Sequence, residues 1–241
     1  MMGRAGPKLI GMGKSRAFRC LWALEELGIP YRYVPVMPQS EEAKHHNPLG
    51  KIPILVEEDG FCIYETTAII NYLCDKHRSS GSNNDDNNLI PPSGTKERGL
   101  YEQTMSVLVM ELDTQGLWIH RKHEAMGEYF GHIPDAVEHA RKYFNKTNRM
   151  LIQQLKNSGG ANTAAADGTT DSYLLGANFT AADIVYVHCL DWSKIIGWDA
   201  KWKDDVALTK YIKRCKSREA FSRTIAKIKG DKKSRTDRSN L

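Results

Sequence analysis

A proline stands at the mouth of a strand whose other residues call for burial. The run Asn47-Pro48-Leu49-Gly50-Lys51-Ile52-Pro53-Ile54-Leu55-Val56 reads as a turn leading into an apolar strand, and Pro53 removes a ladder donor at that strand's beginning. If the Ile52-Pro53 bond is cis, an uncommon form, the backbone N–H and C=O of Ile52 turn outward from the sheet. There they could pair with an extended peptide.

A short distance on, Tyr64-Glu65-Thr66-Thr67-Ala68 joins a strand to the apolar helix that begins Ala68-Ile69-Ile70. Thr66 falls at the helix start, where unpaired N–H groups and the positive end of the dipole favour a carboxylate. The Glu65 side chain could hold an ammonium beside it. Carboxylate and ammonium together describe the head of an amino acid.

The surrounding pattern gives these pieces a scaffold. Lys8-Leu9-Ile10 makes a first strand, and apolar residues at 17, 20, 21, 24 and 27 predict a helix from about 15 to 27, stopped by Gly28 and Pro30. Residues 31–36 form a second strand that can return parallel through a right-handed crossover. After a loop through His45 and His46, strands at 54–56 and 62–64 flank Glu58-Asp59-Gly60 as an antiparallel hairpin, closed by a helix from about 67 to 77. β-α-β followed by β-β-α is the thioredoxin-like order, an α/β domain over residues 1–79.

Residues 79–88 are polar and low in complexity, so residues 80–95 are expected to be a flexible linker. The remainder, 96–230, reads as an all-helical domain: about 96–115, then 134–156 with Pro134 in the first turn, 180–192, and two shorter helices between 204 and 229. A loose loop at 157–172 interrupts it. Phe179-Thr180-Ala181-Ala182-Asp183-Ile184 carries a capping box, Thr180 with Asp183, and a staple of Phe179 on Ile184. Its role is structural, at about 0.5–2 kcal/mol per cap group.

Charge is unevenly spread. Of a net +5, residues 210–241 hold twelve Lys or Arg against three acids. The run, ending in a basic tail at 231–241, reads as a solvated helix face and frayed terminus; no nucleic-acid-binding motif accompanies it. With no long apolar run, neither a membrane span nor a secretory signal is expected, which suggests a cytoplasmic protein. The five cysteines form no C-x-x-C pair and are assigned no catalysis, and His120, His123 and His132 lack metal-site spacing.

Taken with Ser15-Arg16-Ala17-Phe18-Arg19-Cys20-Leu21-Trp22-Ala23-Leu24-Glu25-Glu26-Leu27-Gly28, the Ile52-Pro53 and Glu65-Thr66 stretches resemble the cytosolic glutathione transferase family, specifically its serine-type, theta-like bacterial and fungal branch. The order and spacing of the pieces carry the resemblance, which spans nearly the whole chain. It implies glutathione as co-substrate, no metal, a hydrophobic electrophile as second substrate or a hydroperoxide to be reduced, a homodimer, and a role in detoxification. It also implies that Lys51 holds the glycyl carboxylate, Ile52 and Pro53 the main chain, and Glu65 and Thr66 the γ-glutamyl end.

Glutathione's thiol must be held as thiolate. Lowering a thiol pKa of about 8.5 by roughly two units needs about 2.7 kcal/mol. One charge-assisted hydrogen bond supplies roughly 1.5–3 kcal/mol and a helix's positive end about 0.3–1 kcal/mol. Ser15 has the only hydroxyl between the first strand and helix, so it is the candidate donor; as a plain N-cap it would serve the helix alone. In several serine-type classes the active hydroxyl stands one position earlier, at this chain's Lys14. Lys14 and Arg16 are secondary candidates, and His45 and His46 could help Lys51. Met105, Leu108, Met110, Leu112, Leu117 and Trp118 include candidates for an electrophile pocket, although core packing accounts for most of them. Two other readings stay open: a non-catalytic module of the kind attached to translation factors, and a glutathione-dependent isomerase, whose serine-serine-cysteine cluster is missing from residues 12 to 17.

Overall fold

The computed structural model of the chain describes residues 6–78, 88–158 and 172–236, with side chains as far as Gly230. Two compact units divide it: residues 1–90 with 216–241, and residues 91–215.

The first unit is built on four short strands, β1 (Lys8–Ile10), β2 (Arg32–Val34), β3 (Ile54–Val56) and β4 (Cys62–Tyr64), in the order β2-β1-β3-β4. β1 runs parallel to β2 and antiparallel to β3, and β3 runs antiparallel to β4. Ile54, Leu55 and Val56 are all buried, as befits an inner strand covered on both faces. Alternation sends Ile10, Ile54 and Val56 to one face, where they pack with Ala43 of α2 (Glu41–His46). Leu9 and Leu55 point to the other, toward α1 (Ala17–Leu27) and α3 (Thr66–Lys76), which pack together.

α2 lies where the sequence predicted a loop. Ser40 Oγ accepts the Ala43 N–H, Glu41 and Glu42 occupy the first turn, and Ala43 is its one buried residue, so the helix carries no apolar periodicity to reveal it. His46 turns toward Lys8 (3.2 Å) and Glu42 (3.6 Å), at the start of β1 and so at the opposite end of the sheet from Ile52. That orientation separates it from the Lys51 role considered for it.

The basic run near the C-terminus is not simply solvated. α9 (Glu219–Thr236) packs on α1. Arg218 forks onto Glu26 at 2.7 and 2.8 Å, and Arg223 and Lys227 meet Glu25 at 2.9 and 3.2 Å. Beneath these pairs Phe221 stands edge-on to Trp22 and Phe18. Residues 88–90 are also tied down, with Leu89 and Ile90 buried and the Asn88 amide donating to Cys74 O. The polar stretch 79–87 and residues 159–171 of the loose loop lie outside the described residues.

The second unit is helical: α4 (Lys96–Ser106), α5 (Gly127–Phe130), α6 (Pro134–Ser158), α7 (Ala181–Ile195) and α8 (Val206–Lys216). α4 runs on into π-helical turns at Val107–Trp118 and Arg121–Ala125, a wider winding that nothing in the sequence announced. Met105, Leu108, Leu112 and Leu117 are core, whereas Met110 is 55% exposed. The capping box at Thr180 is present. Asp183 does more than cap: fully buried, it accepts from Leu174 N–H, Thr180 N–H, the Thr180 hydroxyl and the Tyr211 phenol at 2.7–3.0 Å. Burial pushes its carboxyl pKa up while those donors pull it down. No described helix is long and apolar enough to cross a membrane.

Candidate functional site

Register brings the sequence's candidates together. Ile10 is paired with Ile54, and Ile54 with Tyr64, so Gly11 after Ile10, Pro53 before Ile54 and Glu65 after Tyr64 share one end of the sheet. Gly11, at φ 147°, belongs there for a second reason: a Cβ on it would lie 3.0 Å from Ala17 Cβ and 3.2 Å from Ile52 Cβ. The loop into α1 thus rests directly on the Ile52-Pro53 pair.

That peptide bond is cis. Among the described residues neither Ile52 N–H nor Ile52 C=O takes part in a backbone hydrogen bond. The preceding turn is held by its neighbours. Buried Asn47 donates to Lys51 O (3.0 Å) and accepts from Leu49 N–H (3.0 Å), and Gln39 reaches Leu49 O at 2.9 Å while its own N–H donates to Gly50 O at 2.8 Å. Asn47 and Gln39 were not singled out from the sequence; the Asn-Pro dipeptide announced the turn but not which side chain would stitch it. Lys51 itself is exposed, with no ion pair among the described residues.

Glu65 is exposed and held at φ 75°, ψ 124°, a region that a non-glycine residue avoids and that costs on the order of 1–3 kcal/mol. No side chain caps α3, so its first-turn N–H groups are left for another partner. Thr66 is buried at the first position. A carboxylate set outward by a strained residue, beside uncapped amides, matches both charges of an amino-acid head.

Ser15 ends the turn Met12–Ser15 at the start of α1. Its hydroxyl donates to Met12 O (2.7 Å) and accepts the Ala17 N–H (3.1 Å), and its own N–H donates to Met12 O (2.9 Å). Lys14 is exposed and Arg16 half-buried. Cys20, on the same helix, is fully buried, and burial pushes its thiol pKa far up, which keeps it protonated. Among the described residues no group of three or more His, Cys, Asp or Glu is arranged to hold a metal ion.

Comparison with known proteins bears on the family. Residues 15–76 match the family model of the glutathione S-transferase N-terminal domain. A glutathione S-transferase of Arabidopsis thaliana is 30% identical over 193 residues, covering 75% of this chain and 78% of that protein. Elongation factor 1-gamma 3 of Oryza sativa subsp. japonica is 31% identical over 182 residues, which cover 73% of this chain but only 37% of that longer protein. Among solved structures, a glutathione transferase from Phanerochaete chrysosporium with oxidized glutathione shares the fold at a TM-score of 0.72 and 20% identity, covering 95% of this chain and 98% of that one. The chain belongs to the glutathione S-transferase family.

Proposed function

We propose that this protein is a serine-type glutathione transferase that adds the sulfur of glutathione to hydrophobic electrophiles, with some capacity to reduce hydroperoxides, and that it works as a homodimer. The observation that carries the reading is the convergence at one sheet end of three elements: the unpaired backbone of Ile52 beside cis Pro53, the strained Glu65 with uncapped Thr66, and the Met12–Ser15 turn. Glutathione lies extended along Ile52, its γ-glutamyl carboxylate on the Thr66 amides, its ammonium on Glu65, and its glycyl carboxylate toward Lys51.

Ser15 activates the thiol by donation. Its proton leaves Met12 O for the sulfur, while the Ala17 N–H keeps hold of its oxygen and polarises it as a donor. The hydroxyl stays protonated throughout, and the thiol's own proton is released to solvent. The thiolate attacks the electrophilic carbon, a C–S bond forms, and in a substitution the displaced group departs with the electron pair of its own bond; in an addition the pair is taken up by a proton from solvent.

One observation favours a second reading. The rice elongation factor 1-gamma matches at an identity similar to that of the Arabidopsis transferase, which admits a glutathione-transferase-like module without turnover. Passage over immobilised glutathione followed by conjugation of a chlorinated nitrobenzene separates the two. Retention with turnover supports the transferase, retention alone the module, and no retention removes both.

A further inference from the structure

The turn that carries Ser15 is gripped from two elements which the chemistry above leaves unused. Gly13 lies inside that turn and is buried. Its N–H donates to the phenolic oxygen of Tyr33 on β2 at 2.8 Å. A Cβ added to Gly13 would come within 2.2 Å of Ile228 Cγ2, on α9, and 3.0 Å of the Tyr33 oxygen. Gly13 has no left-handed backbone, so close approach reserves the position for glycine. Ile228 in turn is seated by the ion pairs of Arg218, Arg223 and Lys227 with Glu25 and Glu26, and by the Lys227 ammonium 3.9 Å above the Tyr31 ring.

Building on the transferase reading, we propose that Tyr33 and Ile228 are positioning residues for the Ser15 hydroxyl. Of the two central residues of the turn, Lys14 is exposed and Gly13 is the one fixed from outside. Met12 O, which orients both the N–H and the hydroxyl of Ser15, therefore takes its place from the grip on Gly13. A hydrogen bond to a thiolate weakens steeply with misalignment, and small displacements of a positioned group cost large factors in rate. α9 thereby acts on the thiol without touching it.

The test compares Tyr33→Phe, Ile228→Ala and the conservative Ile228→Val with wild type. Three quantities are measured: glutathione Kd by calorimetry, the thermal midpoint, and the pH at which bound glutathione ionises, read from thiolate ultraviolet absorbance. Tyr33→Phe and Ile228→Ala are expected to raise that ionisation midpoint by about 0.5–1 pH unit, a roughly three- to tenfold loss of thiolate below it, with Kd, measured at a pH well below the midpoint where the bound thiol is protonated, within about twofold and Ile228→Val near wild type. Variants that lose thermal stability but ionise glutathione as wild type does would overturn the proposal, and so would a Kd that weakens while the ionisation midpoint stays put. Should Tyr33→Phe fail to fold, Ile228→Ala against Ile228→Val carries the same test. If wild type binds no glutathione, the transferase reading fails and takes this one with it; if wild type binds and ionises it but the variants match, only the positioning role falls.

Discussion

Two helix starts in this chain use similar residues to opposite ends. At α7, Thr180 and Asp183 close on each other, and Asp183 gathers further donors from Leu174 and Tyr211, so that the buried polar groups there are satisfied from within. At α3, Glu65 sits in strained backbone, caps nothing and faces outward, and the first amides go uncapped. The first arrangement stabilises the fold. The second forgoes that stabilisation and leaves an exposed carboxylate beside uncapped amides.

The comparison breaks most sharply at Asp183. Asp183→Ala strands several buried donors and should cost about 3–5 kcal/mol, seen as a large fall in the denaturation midpoint, while glutathione Kd measured on the remaining folded protein stays unchanged. Glu65→Ala should do the reverse: about 1.5–3 kcal/mol of a charge-assisted bond is lost, so Kd weakens roughly 10–150-fold, and thermal stability holds. Glu65→Gly sharpens the contrast, because it relieves the positive φ; its thermal midpoint should not fall below that of Glu65→Ala although binding is equally weak. Ser15→Ala should spare retention on glutathione and lower turnover by about tenfold for each 1.4 kcal/mol of thiolate stabilisation removed. Unchanged turnover would take Ser15 out of the mechanism.

The smallest effect concerns pH. Burial raises the Glu25 pKa, but hydrogen bonds from Tyr31, Arg223 and Lys227 outweigh it and hold the carboxyl below its ordinary value of 4.5. A depressed carboxyl stabilises the folded form above its unfolded pKa and loses that contribution as pH falls through the folded value. The grip of α9 on α1 should therefore be constant from neutrality to about pH 5 and weaken below 4.5. Trp22 fluorescence, reporting on Phe221, is the measurement, and a Glu25→Gln variant should flatten the profile.

Much of the first unit could be read from its residues because its signals are local. Pro53 after Ile52, the Glu58-Asp59-Gly60 turn and the periodicity of α1 each act over a few positions. The juxtaposition of the candidate residues followed for the same reason, since strand pairing carries Gly11, Pro53 and Glu65 to one edge once the strand order is known. What escaped was non-local or aperiodic. α2 has a single buried residue, and the π-helical turns after Ser106 leave no composition mark. Glu25 and Glu26 meet cations nearly 200 residues away, so a run that reads as solvated charge is half of an interface. Nothing in the sequence singles out Gly13, and the positions of Tyr33 and Ile228 explain it.

The same distance along the chain, 192 positions from Glu26 to Arg218, governs how the molecule can be made. During synthesis the strands and α1 leave the ribosome long before α9, and until it emerges Trp22 and Phe18 lack the ring of Phe221 that stands against them. The nascent first unit therefore waits through translation of the whole helical unit before Phe221 can meet these two rings.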